Sequence, residues 1–243
     1  MTSVLVIAGT DPGGGAGLAR DLRTLAELDV RALCAVTAVT AQSDDRVLGI
    51  HVVPAAMVHA QIAAAFATGR VAAVKIGMLA TADLVQAVAA ALRPHPSVPI
   101  VLDPVLAASS GTALLDSAGP EALRAFLPQA SLLTPNLAEA AQLLGVEPAT
   151  SEAQMLAQAH ALRALGARAV LIKGGHGAGP EAVDLLLSAQ GMERLATARL
   201  DASCRGTGCA LASAAAASLA AGAALEFACR RAKDYVTALL RRS

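Results

Sequence analysis

The chain of 243 residues is poor in aromatic side chains and has no excess of positive charge. It contains no tryptophan, one tyrosine and three phenylalanines, and its 19 basic residues are balanced by 19 acidic ones. Surfaces that bind nucleic acid usually combine surplus positive charge with aromatic rings on which bases stack. Because both features are missing, the sequence does not predict binding to nucleic acid.

Charged residues are scarce as well. They make up 16% of the chain, whereas hydrophobic residues make up 55% and the mean hydropathy is +0.56. This composition is the opposite of that of a disordered chain. A chain of this length can bury most of its apolar surface in one large α/β domain. Since no repeat, linker or low-complexity segment divides the sequence, we expect a single domain spanning residues 1–243.

The four cysteines include no C-x-x-C pair and no histidine at the spacing of a zinc site; they are Cys34, Cys204, Cys209 and Cys229. Reduced thiols in the cytoplasm are the simplest interpretation. The short apolar run near the start lacks the basic residues and the length of a signal peptide, so no export is predicted. An uncharged segment from Gly206 to Leu225 could span a bilayer by length, but its small residues favour a helix buried in a protein core.

Short β-type runs alternate with alanine-rich helical stretches, which is typical of parallel strands joined by helices. Strands are predicted at residues 4–8, 33–39, 47–52, 74–76, 100–103, 131–134 and 169–172. Helices are predicted at residues 17–28, 55–68, 82–92, 119–126, 137–144, 151–165, 208–221 and 225–240. Residues 182–188 and 193–200 are predicted to form an antiparallel pair with a turn at Gly191. The predicted fold class is therefore α/β with a mostly parallel central sheet, and ligands are expected beyond the carboxyl ends of its strands.

A glycine-rich segment, Gly9 to Gly17, follows the first predicted strand and opens a helix. Glycine lets the backbone turn sharply and approach a ligand closely. The segment matches neither common nucleotide-binding motif, because the next strand runs into Thr40-Ala41-Gln42 rather than an acidic residue and Gly-Lys-Ser/Thr is absent. Taken alone, it is equally consistent with a tight structural turn.

Only three lysines accompany sixteen arginines, and two of the three lie at the ends of apolar strands. A buried ammonium group at such a place needs an anionic partner. For Lys75 we predict an internal ion pair with a carboxylate. Lys173 is followed by two glycines that expose backbone N–H groups, so a bound phosphate is its predicted partner.

Side chains with oxygen atoms follow two other predicted strands. Asp103 ends one strand, and Asn136 and Glu139 follow the next at the spacing of a capping box. Considered separately, each is typical of helix capping. Together they are candidate ligands for Mg²⁺, which binds proteins through few direct oxygen ligands.

Gly206-Thr207-Gly208-Cys209 stands at the predicted start of the uncharged helix. Unpaired N–H groups and the positive end of the helix dipole favour a phosphate there, and would stabilise a phosphoryl group during transfer. The same field is expected to lower the pKa of the Cys209 thiol from its free value of about 8.5, so that it could accept a proton from an attacking hydroxyl. The alternative is a small buried hydrophobic residue, as predicted for Cys34 and Cys229.

Seven motifs span nearly the whole chain. In order they are Ile7 to Gly17, Thr37 to Gln42, Lys75 to Leu79, Asp103 to Val105, Thr134 to Ala140, Lys173 to His176 and Gly206 to Cys209. In this order and spacing they resemble hydroxymethylpyrimidine/phosphomethylpyrimidine kinase, a branch of the ribokinase-like superfamily. The resemblance implies a three-layer α/β/α kinase, usually a homodimer, of thiamine biosynthesis. Such kinases use MgATP to phosphorylate 4-amino-5-hydroxymethyl-2-methylpyrimidine and often then its monophosphate.

The resemblance also implies roles for individual residues. The pyrimidine would be bound at its edge by Asp21 and Gln42 and lined by Gly9, Met78 and Val105. ATP phosphates would be bound by Lys173 and Thr207, and Mg²⁺ organised by Asp103, Asn136 and Glu139. The anion hole would be formed by Gly206, Thr207 and Gly208. Cys209 takes the place of the aspartate base of sugar kinases and is the predicted base.

The sequence also departs from the family pattern. Arg205 stands where histidine is common, which adds a cation beside the predicted phosphate site. Leu18 to Asp21 replaces a usual Gln-Ala-Asp, and Ser43 to Asp45 replaces a common Asn-Thr. Two alternatives remain open: a pyridoxal-type kinase, whose substrate also carries a hydroxymethyl arm, and a non-catalytic pyrimidine-binding sensor. Whether a monovalent cation contributes is also left open.

Overall fold

The computed structural model describes residues 3–43, 45–108, 110–175, 177, 179–202 and 204–242. Asp44 and His176, which belong to two of the segments discussed above, lie outside these residues. The strands within the described part of the chain are β1 (Ser3–Ala8), β2 (Arg31–Val36), β3 (Ala38–Gln42), β4 (Val47–Val52), β5 (Val71–Ile76), β6 (Ile100–Leu102), β7 (Leu132–Leu133), β8 (Val170–Lys173), β9 (Glu181–Ser188) and β10 (Gly191–Ala198).

Eight of these strands form the central sheet, in the order β10-β9-β8-β7-β6-β5-β1-β2. The pairs from β8 to β2 are parallel, whereas β9 runs antiparallel to both β8 and β10. The predicted mostly parallel sheet is therefore confirmed. Gly191 does not form the hairpin turn as expected; it begins β10, and residues 189–190 form the turn.

Helices cover both faces of the sheet. They are α1 (Gly17–Glu27), α2 (Ala55–Ala67), α3 (Ala82–Leu92), α4 (Gly119–Phe126), α5 (Leu137–Leu144), α6 (Glu152–Ala164), α7 (Thr207–Ala220) and α8 (Leu225–Leu240). Along β1 the buried side chains alternate between the two faces: Leu5 and Ile7 pack in the cluster that includes α2 to α6, and Val4 and Val6 in the cluster that includes α1, α7 and α8. The result is the expected three-layer α/β/α arrangement.

Helix α7 is the uncharged segment noted in the sequence, and it lies in the core. Most of its residues are buried, and its alanine and serine side chains let it approach β1, β5 and β6 closely. No helix within the described residues is long and apolar enough to cross a membrane.

Strands β3 and β4 form a separate antiparallel pair. The single strand predicted at residues 33–39 is wrong, because the chain leaves the central sheet at Thr37. The Thr37 N–H donates to Ala8 O at 3.1 Å, and its hydroxyl donates to Met78 O at 2.6 Å. β3 then lies beside the loop that follows β1, where the Thr10 N–H donates to Ala38 O at 2.9 Å. This path carries Gln42 toward the carboxyl ends of the sheet.

Candidate active site

A cavity of about 700 Å³ opens where the carboxyl ends of the central strands meet the start of α7. Asp21 is the one predicted site residue that does not line it. The predicted residues that do line it are Gly9, Gln42, Met78, Asp103, Val105, Asn136, Glu139, Lys173, Gly206, Thr207, Gly208 and Cys209. The topology therefore gathers residues that lie up to 200 positions apart in the sequence.

Glycines stand on both sides of Thr207 at the start of α7, because a side chain at either position would crowd a neighbouring residue. Gly206 precedes the helix with φ 75°, in the left-handed region, and a Cβ at this position would collide with Gly15 O. A Cβ on Gly208 would lie 3.0 Å from Lys173 Nζ. The N–H groups of the first turn have no partner within the helix, so this end of α7 can bind an anion.

Lys173 lies beside Gly208 and is held by two carboxylates. Its Nζ is 2.7 Å from Asp103 Oδ1 and 3.8 Å from Glu139 Oε2. Burial opposes the charge on Lys173, but the two carboxylates outweigh burial and raise the pKa of its ammonium group. Lys173 therefore stays positively charged next to the helix start. Binding of a phosphate by Lys173 stays a prediction.

Asn136 and Glu139 form the capping box that their spacing indicates. Asn136 Oδ1 accepts from the Glu139 N–H at 2.9 Å, and Glu139 Oε2 accepts from the Asn136 N–H at 2.7 Å. Burial, opposed by Lys173 and reinforced by Asp103, raises the pKa of the Glu139 carboxyl to about 7. The capping interpretation is confirmed for this pair.

The candidate ligands for Mg²⁺ fit the ion only in part. The side-chain oxygen of Asn136 accepts one hydrogen bond in capping α5, which leaves one lone pair, and direct coordination by Asn136 stays a prediction. Among the described residues no cluster of three His, Cys, Asp or Glu side chains could hold a metal ion. The remaining carboxylates, Asp103 and Glu139, are hard oxygen donors at the cavity. They suit a Mg²⁺ ion that keeps several waters and shares its coordination with phosphates.

Cys209 lines the cavity, but the expected effect on its thiol is wrong. Burial raises the pKa of the Cys209 thiol to about 11, although Lys75 and the N–H of Gly17 act in the opposite direction. Desolvation penalises the thiolate more than Lys75 and the Gly17 N–H favour it. The thiol therefore carries its proton at neutral pH.

Asp21 does not lie at the pyrimidine edge as the resemblance implied. Its carboxylate is fully buried, where Oδ2 accepts from Lys75 Nζ at 2.7 Å and Oδ1 accepts from Ser213 Oγ at 2.8 Å. The internal ion pair predicted for Lys75 is thus confirmed, and Asp21 is its partner. A fully buried ammonium group needs this carboxylate, which leaves none of it exposed to a ligand.

One end of the cavity is an apolar hollow. A Cβ on Gly9 would lie 2.9 Å from Met78 Sδ, so only glycine leaves the space beside that side chain open. Met78 packs with Ala38 and Leu114, and Val105 packs against the same cluster. The half-buried amide of Gln42 adds a polar group to this hollow. The arrangement suits a flat heterocycle with polar edge groups.

Sequence reasoning missed the opposite end of the cavity. It is lined by residues of β10, α8 and the segment between β10 and α7: Thr197, Ala198, Leu200, Val236, Thr237 and Leu240. Beside them Lys233 Nζ lies 2.9 Å from Asp184 Oδ2, and Asp184 Oδ1 accepts from the Gly174 N–H at 3.0 Å. The signal in the sequence was Lys233, the third of the scarce lysines. This second, largely apolar hollow lies next to Lys173, which pairs with Asp184 in the sheet.

The site combines an anion-binding helix start, a positively charged lysine and two hollows, one on either side. This arrangement suits phosphoryl transfer between a nucleotide and a small alcohol. With the α/β/α layers, they define the class of ribokinase-like small-molecule kinases. A family model described as phosphomethylpyrimidine kinase matches residues 11–243. A hydroxymethylpyrimidine/phosphomethylpyrimidine kinase of Rhizobium meliloti is 44% identical over 99% of this chain and 91% of its own length. The chain belongs to the phosphomethylpyrimidine kinase family.

Solved structures agree with this assignment. The phosphomethylpyrimidine kinase of Clostridium difficile superposes with a TM-score of 0.87 and 31% identity, covering 98% of this chain and 99% of that one. An ADP complex of Bacillus subtilis pyridoxal kinase superposes with a TM-score of 0.89 and 33% identity, covering 98% of this chain and 91% of that one. Kinases that act on two different rings therefore share this fold.

Proposed function

We propose that the protein transfers the γ-phosphoryl group of ATP to the hydroxymethyl group of 4-amino-5-hydroxymethyl-2-methylpyrimidine, and then to the resulting monophosphate, in thiamine biosynthesis. The observation that carries the proposal is the single cavity that joins the hollow beside Gly9 and Met78 to the start of α7 and to Lys173. Membership of the phosphomethylpyrimidine kinase family supports the same substrates.

In this proposal the pyrimidine lies against Met78 and Val105, with its edge toward Gln42 and its hydroxymethyl arm toward α7. The nucleotide lies in the opposite hollow, with its phosphates near Lys173. Phosphoryl transfer passes through a loose transition state, so positioning and charge stabilisation supply most of the rate. The N–H groups at residues 206–208 and the ammonium group of Lys173 are the groups that stabilise that charge.

Cys209 is the proposed proton acceptor for the alcohol. Because its pKa is about 11, only a small fraction of the thiol is ionised at neutral pH. A base role therefore requires the rate of alcohol phosphorylation to rise with pH. Thr207 is proposed to contact the ATP phosphates from the same helix turn.

Mg²⁺ is proposed to accompany ATP, held by Asp103 and Glu139 together with the phosphates. When bound it would neutralise negative charge on the transferred group. We further propose that the protein works in the cytoplasm as a single-domain homodimer, as the family resemblance implies. Light scattering checks the last point, and the mass of one subunit would contradict it.

A substrate panel tests the function. The purified protein is incubated with MgATP and one acceptor at a time: the pyrimidine alcohol, its monophosphate, or pyridoxal. Phosphorylated products are then measured by mass spectrometry. We expect the highest kcat/KM with the pyrimidine acceptors. Higher kcat/KM with pyridoxal would favour the second candidate, which the likeness to B. subtilis pyridoxal kinase supports. If ATP consumption does not depend on the pyrimidine, the protein is a non-catalytic pyrimidine-binding sensor.

A further inference from the structure

Three cations lie near the start of α7, of which Lys173 and Arg205 line the cavity and Arg20 does not. Lys173 lies on the side of Gly208, because a Cβ there would approach its Nζ to 3.0 Å. Arg205 lies on the side of Gly206 and packs against the loop that follows β1, since a Cβ on Gly15 would lie 3.6 Å from its Nη1. A helix N-terminus with a cation on either side can bind two anionic groups at once.

Arg205 is held in place by the first glycine-rich loop. Its Nη2 lies 3.5 Å from Asp11 Oδ2, and Asp11 is itself fixed, because its carboxylate accepts from the N–H groups of Gly13 at 3.0 Å and Ala16 at 2.8 Å. The Arg205 side chain is 22% exposed and lines the cavity. A guanidinium group has five N–H donors in a rigid fork, so it can contact Asp11 and a phosphate together.

The two cations serve different ends of the cavity. Lys173 pairs in the sheet with Asp184, which borders the hollow formed by β10 and α8. Arg205 packs on the same loop that supplies Gly9 and Thr10 to the other hollow, where Gln42 lies. A nucleotide brings its own phosphates to the side of Lys173. A negative charge near Arg205 would therefore belong to the acceptor.

We propose that Arg205 is a specificity residue for an acceptor that already carries a phosphate. This inference rests on the proposed function and deepens it. The guanidinium group binds the phosphate of the pyrimidine monophosphate and directs one of its oxygens at the γ-phosphorus of ATP. A bond forms between that oxygen and the γ-phosphorus, the bond from the γ-phosphorus to the β–γ bridging oxygen breaks, and ADP leaves. The attacking oxygen belongs to a dianion at the working pH and has no proton to lose.

The test compares two acceptors in the Arg205→Gln and Arg205→Lys variants. For Arg205→Gln we expect kcat/KM for the monophosphate to fall about tenfold or more, because a hydrogen bond to a charged group is lost. For the alcohol we expect a change of less than about threefold, because this acceptor brings no charge to the guanidinium group. Arg205→Lys should recover part of the loss, because it restores the charge without the fork.

Arg23→Gln is the matched control. Arg23 is an exposed residue of α1 whose guanidinium group lies near Gly14 but does not line the cavity. Its replacement removes the same charge from the same region. We expect both acceptors to be used as in the unaltered protein, and a selective loss with the monophosphate here would overturn the assignment to Arg205.

Other outcomes separate this inference from the proposed function. Equal loss with both acceptors in Arg205→Gln, or no loss with either, overturns the specificity role while leaving the kinase intact. If the unaltered protein phosphorylates neither acceptor, the proposed function itself fails. If circular dichroism shows that Arg205→Gln does not fold, the proposal is tested by calorimetry, which measures the binding of each acceptor to the unaltered protein. Binding of the monophosphate no tighter than that of the alcohol, at both low and high salt, would then reject the proposal.

Discussion

At the scale of single residues, the Lys75–Asp21 ion pair is fully buried, and burial raises the pKa of the nearby Cys209 thiol to about 11. The ion pair of Lys75 could be predicted, because a lysine in an apolar strand needs a counterion. Its partner could not, since only the packing of α1 on the sheet shows that Asp21 faces Lys75 rather than a ligand. The pKa of Cys209 was predicted in the wrong direction for the same reason: the helix start is visible in the sequence, but desolvation is not.

The Lys75–Asp21 pair gives a prediction about stability. Lys75→Met leaves a fully buried carboxylate without its cation, and we expect the free energy of unfolding to fall by about 3–5 kcal/mol. Lys75→Met combined with Asp21→Leu should be more stable than Lys75→Met alone, because no uncompensated charge remains. Urea unfolding of Lys75→Met, Asp21→Leu and the double variant measures the coupling free energy between the two groups. Additive losses would show that the two groups act independently.

Cys209 gives a prediction about pH. If its thiolate accepts the proton of the alcohol, kcat for the pyrimidine alcohol should rise about tenfold per pH unit between pH 7 and 9, because the pKa lies near 11 and the ionised fraction grows with pH. Cys209→Ala should abolish this rise and lower kcat by about 10²- to 10⁴-fold. The monophosphate needs no base, so its kcat should vary little in either protein. A flat profile with the alcohol in the unaltered protein would remove Cys209 as the base.

At the scale of elements, the sequence predicted which segments form strands and helices better than it predicted where strands go. β2 and β3 read as one apolar run, and Thr37 divides them through hydrogen bonds to Ala8 and Met78, which lie far away in the sequence. The capping box of α5 needs only residues three positions apart, and it was predicted correctly. The turn predicted at Gly191 was wrong, because residues 189–190 form it and Gly191 begins β10. The larger error, at β2 and β3, came from long-range hydrogen bonds.

Helix α8 gives a prediction about a long-range contact. Lys233 holds Asp184, whose second oxygen fixes the N–H of Gly174 directly after Lys173. In Lys233→Met the buried carboxylate loses its cation and the turn after β8 loosens, so we expect KM for ATP to rise about tenfold with a smaller change in kcat. Steady-state kinetics with varied ATP measures this.

Arg230→Gln is the control for that variant. It lies on the same helix and removes an exposed ion pair with Glu193, which should contribute little. We expect its KM for ATP to be unchanged. If Lys233→Met lowers kcat and leaves KM unaltered, Lys233 does not act by positioning the nucleotide site.

At the scale of the whole molecule, the sheet brings motifs that are distant in the sequence together around one cavity. Placing the polar residues at the carboxyl ends of parallel strands was enough to predict an anion site there, whereas the residues of the acceptor hollow were predicted from the family resemblance. Lys233 was the one signal of the second hollow in the sequence, and it was not enough to predict it, because the apolar residues that β10 and α8 contribute form no motif. It follows that the two ligands should occupy opposite ends of one cavity without competing.

Ligand-induced stabilisation tests this arrangement. A non-hydrolysable ATP analogue with Mg²⁺ and the pyrimidine monophosphate should each raise Tm by about 5–10 °C at a concentration about 100 times Kd, since each binds only the folded chain. Both together should raise it further. Arg205→Gln should lose mainly the effect of the monophosphate, and Lys173→Gln mainly that of the nucleotide, because the two cations lie on opposite sides of α7. If either ligand cancels the stabilisation by the other, they share one site, and the division of the cavity between Lys173 and Arg205 is wrong.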